Sequence, residues 1–100
     1  MKHSIDVIGN QARVFLMDKI YVYDASSIRD DLLKVIDQGV TDVRMDLSGL
    51  AYIDSSGLGM LLAINKRIKK KNGVFVLAGV QGLPFELIKR TRLDKVFTIL

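Results

Sequence analysis

One hundred residues, 49% of them hydrophobic, suit one domain spanning 1–100 with a single modest core. The absence of cysteine excludes a disulfide frame and a thiolate metal site, and no apolar run approaches bilayer-spanning length. The opening Met1-Lys2-His3-Ser4 has no apolar block behind it, so the expectation is a cytoplasmic protein, or a soluble domain of something larger, with no membrane partner.

Along the chain, Ser4 to Ile8 alternates weakly, with Ile5 and Val7 on one side. Val14, Phe15 and Leu16 mark a second strand over Ala12 to Met17. Gly9-Asn10 between them is a turn signal and predicts an antiparallel hairpin. Asp18 to Tyr23 favours extended structure and reads as either a strand or an apolar loop. Asp24-Ala25-Ser26-Ser27 offers helix caps, and Ala25, Ile28, Leu32, Val35 and Ile36 recur at helical spacing up to a stop at Gly39.

Val43, Met45 and Leu47 alternate with polar residues as a strand, which Ser48-Gly49 interrupts before Leu50 to Ile53 turns apolar again. A second helix runs from the Asp54-Ser55-Ser56 turn to about Lys71, with Leu58, Leu61, Leu62 and Ile68 on one stripe and Met60 and Ile64 off it. Val74 to Ala78 reads as a buried strand, and Gly79 to Gly82 as a loop. Pro84 suits the first position of a short helix ending near Thr91, and Lys95 to Leu100 reads as a final strand. Strands that alternate with helices are usually parallel. The predicted class is therefore α/β: two layers, with a mixed, mostly parallel β-sheet, an N-terminal hairpin at one edge, and helices packed on it.

The net charge is +4, and Lys66, Arg67, Lys69, Lys70 and Lys71 cluster at the end of the second helix. Such a run is either an anion-binding patch or a solvated helix C-terminus whose cations complement the dipole. No aromatic residue is interleaved with it, which argues against a nucleic-acid partner.

Catalytic motifs are missing. His3 is the sole histidine, so a Ser-His-acid triad would have to use a residue at the terminus, and no Gly-x-Ser-x-Gly elbow surrounds Ser55. Asp42, Asp46 and Asp54 lack the spacing of a metal-binding loop. Gly57-Leu58-Gly59 lacks the third glycine of a dinucleotide loop, and no Gly-Lys-Ser/Thr follows. The expectation is a protein with no catalytic residue, metal or cofactor of its own.

What remains is the helix start at Asp54-Ser55-Ser56-Gly57-Leu58-Gly59. One serine as N-cap is worth about 0.5–2 kcal/mol and accounts for one hydroxyl. Glycine inside a helix costs roughly 1 kcal/mol relative to alanine, so two in the first turn imply a close approach to the backbone. Close helix–sheet packing meets that need, and so does a partner protein.

The run Asp46-Leu47-Ser48-Gly49-Leu50-Ala51-Tyr52-Ile53-Asp54-Ser55-Ser56-Gly57-Leu58-Gly59 resembles the signature of STAS domains, and within those it is most similar to the bacterial anti-sigma-factor antagonists. The order of elements and the Phe85 to Phe97 segment are also similar, so the resemblance covers nearly the whole chain. It implies a non-enzymatic binding module in a partner-switching circuit. The unphosphorylated form would bind an anti-sigma factor that is also a serine kinase. That kinase would use its own ATP to phosphorylate Ser55, and a metal-dependent serine phosphatase of the PP2C type would reverse the change. Asp54, Ser56, Gly57, Leu58, Gly59 and Met60 would then be partner-binding positions, with Ile64 a further apolar contact. The alternative within the same fold is a non-switching scaffold, as in stress assemblies or transporter-associated modules. One departure stands out: after the second strand these antagonists commonly carry a glycine and then an acidic residue, where this chain has Asp18 and Tyr21.

Overall fold

Ala12, Val14 and Leu16 point inward from one strand, and Val43, Met45 and Leu47 from another, while the residues between them face outward. In a computed structural model that describes residues 2–100, this alternation builds a five-stranded sheet. The strands are β1 (His3–Ile8), β2 (Gln11–Ile20), β3 (Asp42–Ile53), β4 (Val74–Ala78) and β5 (Thr98–Ile99), in that spatial order. β1 pairs antiparallel with β2, and every other neighbouring pair is parallel. The helices are α1 (Val22–Asp37), α2 (Ser55–Lys70) and α3 (Gly82–Arg90). Their inward residues, among them Ile28, Leu32, Ile64, Ile68 and Ile88, join those of the strands in one core. Arg13, Phe15, Met17 and Arg44 lie on the opposite, open face of the sheet.

The predicted hairpin is present, with Ile8 opposite Gln11 across the Gly9-Asn10 loop. Asn10 ties that loop to the start of β3, because its carbonyl accepts the N–H groups of Thr41 (2.9 Å) and Asp42 (3.1 Å).

Five expectations need correction. β3 is not broken at Ser48-Gly49; it runs on to Ile53. The inward spacing instead lengthens there, from Leu47 to Leu50, and the register with β2 shifts nearby, between Phe15 and Met17 and again between Asp18 and Lys19. Asp46 causes the local bend, since its Oδ1 accepts both the Ser48 N–H (2.9 Å) and the Ser48 hydroxyl (2.6 Å). These donors, the hydroxyl first, hold the Asp46 carboxyl below its ordinary range.

The second correction concerns α1, which begins at Val22, before the Asp24-Ala25-Ser26-Ser27 cluster. Asp24 acts from the third helical position: its carboxylate accepts the Tyr21 N–H at 2.9 Å and pairs with Lys2 at 3.1 Å. Both contacts, the backbone one first, hold its pKa down. Third, on α2 the buried arc includes Met60 (3% exposed) and Ile64 (0%), whereas Leu62 is 37% exposed. The helix packs against both α1 and the sheet, so its apolar arc is wider than one stripe.

Fourth, Pro84 is the third residue of α3, still among the first four, where its missing N–H leaves no helical bond unmade. Finally, most of Lys95 to Leu100 is not strand. A 3-10 turn over Leu93–Lys95 precedes a strand of just Thr98–Ile99, and it buries Phe97 edge-on against Phe75, with centroids 6.3 Å apart.

Candidate functional site

β3 delivers the chain to the start of α2, and a carboxylate rather than a serine caps the helix. Asp54 sits in extended conformation at the N-cap, and its Oδ1 accepts the Gly57 N–H at 3.0 Å. The Leu58 N–H goes to the Asp54 carbonyl at 3.1 Å. Ser55 and Ser56 are thereby the first two helical residues, and neither hydroxyl is spent on the cap. Their own N–H groups belong to the set a helix start leaves without intrahelical partners. An exposed hydroxyl at the positive end of a helix dipole can carry an added anion without rearrangement of the fold.

The two glycines have different reasons. A Cβ on Gly57 would lie 2.1 Å from Ile53 Cγ1 and 2.6 Å from its Cδ1, so the strand must pass against bare backbone there. Close helix–sheet packing explains Gly57 in full. A Cβ on Gly59 would meet nothing within 4 Å, and Gly59 is exposed. Nothing within the fold requires a glycine at that position.

Successive helical residues diverge by about 100°, and the two serines accordingly line different clefts. Ser56, Gly59 and Met60 line a cleft of about 420 Å³ with Val22, Ala25, Ser26 and Arg29 of α1. Ser55 lines a cleft of about 380 Å³ with Asp54, Tyr52, and Leu83, Glu86, Leu87 and Arg90 of α3. Of the residues named from sequence, Asp54, Ser55, Ser56 and Gly59 reach these surfaces. Gly57, Leu58 and Ile64 are buried, and Met60 contributes little more than part of a cleft wall, so Ile64 and Leu58 offer no apolar side chain to a partner.

Sequence reasoning noted Tyr21 as a departure from the antagonists but assigned no partner contact to Tyr21, Val22 or Tyr23. They open α1 beside the turn and stay exposed, Tyr23 at 88%. Tyr21 packs on Tyr52 with ring centroids 5.6 Å apart, and Lys2 Nζ lies 5.1 Å over the Tyr21 ring. The signal available was three large side chains in succession just before helix caps, which no single helix or strand face can all bury. Asp18 also falls into place: its φ is +64°, the left-handed region where glycine is least strained and aspartate is tolerated.

Other candidate chemistry is engaged elsewhere. His3 Nε2 lies 3.0 Å from Asp31 on α1, and Asp42 accepts from Gln11. Among the described residues no cluster of His, Cys, Asp or Glu is arranged to hold a metal ion. No helix among them is long and apolar enough to cross a membrane. In the basic run, Arg67 pairs with Asp37 at 2.7 Å, and Lys71 donates to the Ile36 carbonyl at the end of α1.

A parallel-dominated sheet with an antiparallel edge hairpin, meeting its second helix at an Asp-Ser-Ser turn, defines a class of regulatory domain. The chain belongs to the STAS domain family, whose model matches residues 4–100. It is 31% identical, over 99% of its length and 92% of the relative's, to the anti-sigma-B factor antagonist of Bacillus subtilis. It is similar in fold to the anti-sigma factor antagonist SpoIIAA in its unphosphorylated form, with 18% identity, a TM-score of 0.82, and coverage of 98% of this chain and 86% of that one. The Bacillus cell-fate determinant SpoIIAA in its phosphorylated form matches with 18% identity, a TM-score of 0.81, and coverage of 98% and 90%.

Proposed function

We propose that this protein is an anti-sigma-factor antagonist of a bacterial partner-switching circuit. It acts in the cytoplasm by binding, without catalysis and without a cofactor of its own. Its partner is an anti-sigma factor with serine kinase activity, which holds the ATP and phosphorylates Ser55. A PP2C-type serine phosphatase restores the binding form. Neither nucleic acid nor membrane is a direct partner.

The observation that carries this reading is the exposed Ser55 hydroxyl, left uncommitted because Asp54 caps the helix. The match to a Bacillus antagonist over nearly its full length supports the circuit. The near-equal likeness to SpoIIAA with and without phosphate supports a switch that works without refolding.

Partner contact falls on Asp54, Ser56 and Gly59, joined by Val22 and Arg29 of the α1 cleft and by the exposed Tyr21 and Tyr23 at the start of α1. Gly57, Leu58 and Met60 act from behind, setting the position of the turn. Phosphate adds a charge of about −1.5 to −2 next to Asp54. Helix N–H groups tolerate that charge in the free protein. A partner surface fitted to a neutral hydroxyl meets bulk, desolvation cost and repulsion.

The test is incubation with the cognate kinase and ATP, followed by site mapping and affinity measurement. Phosphate is expected on Ser55, and Ser55→Asp should weaken binding at least tenfold, about 1.4 kcal/mol. Ser55→Ala should bind and resist release. Phosphate on Ser56 alone, or an unmodified chain, would sink the assignment.

A further inference from the structure

The cleft on the α3 side holds more than the acceptor serine. Its lining includes Arg90, an exposed residue in the last turn of α3. Arg90 has no ion-pair partner among the described residues. Glu86 is one turn earlier on the same helix and lines the same cleft, yet it does not pair with Arg90. An arginine left unpaired beside an i−4 glutamate keeps its planar donors available for a better acceptor, and a phosphate dianion is one.

Building on the reading of Ser55 as phosphoacceptor, we propose that Arg90 is an internal receptor for the phosphate. Once Ser55 is modified, the Arg90 side chain swings across the cleft and forms charge-assisted hydrogen bonds to the phosphate oxygens. The phosphate is thereby drawn toward α3 and away from the α1 cleft. α3 becomes a reader of the phosphorylation state within the same chain. The charged and titratable groups that face the phosphate are Asp54 from the β3–α2 turn, Tyr52 from β3, and Glu86 and Arg90 from α3. Asp54 and Glu86 repel it, and Arg90 is the single cation among these groups.

The proposal can be tested without a kinase, because phosphoserine can be installed at position 55 of the full chain during translation. The phosphorus NMR signal is then titrated against pH at low salt. Free phosphoserine has its second ionisation near pH 6. Arg90→Gln is expected to raise that ionisation by about half a unit relative to the parent, since it removes a cation that favours the dianion. Arg90→Lys should recover part of the shift. Lys89→Gln, the same charge change on the same helix but outside the cleft, should move it by less than about a third as much. Equal shifts for Arg90→Gln and Lys89→Gln, or no shift for either, would overturn the proposal, because the phosphate would then feel net charge alone. As the phosphate is placed by translation, a kinase that fails to modify Ser55 speaks against the acceptor assignment and leaves the titration readable by itself.

Discussion

The two clefts beside the start of α2 differ in kind. On the α1 side, Ser56 and Gly59 meet Val22, Ala25, Ser26 and Arg29, with Met60 forming part of the wall. The only charged group in that wall is Arg29. On the α3 side, Ser55 meets Asp54, Glu86 and Arg90 beside Tyr52, Leu83 and Leu87. The first surface is lined by small and largely uncharged residues, as suits close contact with a protein. The other is charged, as suits a group that gains or loses phosphate. A single step along a helix separates them, so the modified residue and much of the binding surface are neighbours without being the same place.

That division depends on the wall both clefts share, and its most severe failure should come from Gly57. Gly57→Ala puts a methyl group against Ile53, and urea denaturation should show a loss of about 2–3 kcal/mol, with both clefts distorted. Gly59 provides the contrast. Gly59→Arg should leave folding within about 0.5 kcal/mol of the parent, because open space surrounds that position. Calorimetry should nonetheless show kinase binding weakened tenfold or more, about 1.4 kcal/mol. Equal loss of folding in the two variants would erase the distinction between a packing glycine and a docking glycine.

Asp54→Ala should cost about 1 kcal/mol of stability through the lost cap, read by chemical denaturation. The smallest effect lies at the entrance to α1. The Asp24 carboxyl is held below the ordinary aspartate range by the Tyr21 N–H and by Lys2. A depressed folded-state pKa means that its stabilisation is present above the unfolded value and is lost as pH falls through the folded one. The parent should therefore show a small acid-side loss of stability that Asp24→Asn lacks, seen as converging thermal midpoints below about pH 4.

The order of elements and the mixed sheet were legible because period-2 and helical patterns in this chain rarely conflict. They do conflict at Tyr21-Val22-Tyr23, where strand-forming residues enter a helix. The deciding contact, Asp24 to the Tyr21 N–H, runs backward from the third helical position. Leu62 and Ile64 exchanged places because a one-stripe reading cannot count the neighbours of a helix wedged between another helix and a sheet. The final strand was misjudged because Val96, Phe97 and Ile99 have the composition of a strand. Arg92 turns into the left-handed region at φ +63°, and the 3-10 turn takes up the chain before it can pair. At the site, the importance of the turn could be read from its residues. The different duties of Gly57 and Gly59, and of the clefts under Ser55 and Ser56, follow from distances that spacing does not carry.

The basic run at the end of α2 acquires a role from this arrangement. α1 and α2 share a cleft near their starts, and they are joined at their ends by Arg67 with Asp37 and by Lys71 with the Ile36 carbonyl. The two helices therefore point the same way, and like poles sit side by side, an unfavourable pairing at each end. Lysines and arginines offset the negative poles at one end. At the other, Asp24 in the first turn of α1 and Asp54 at the N-cap of α2 offset the positive poles, one carboxylate to each helix. Both ends of the helix pair are thus compensated, and a phosphate arriving at Ser55 adds its charge to a pole that Asp54 already serves, an excess that the turn must hold and a docked partner must face.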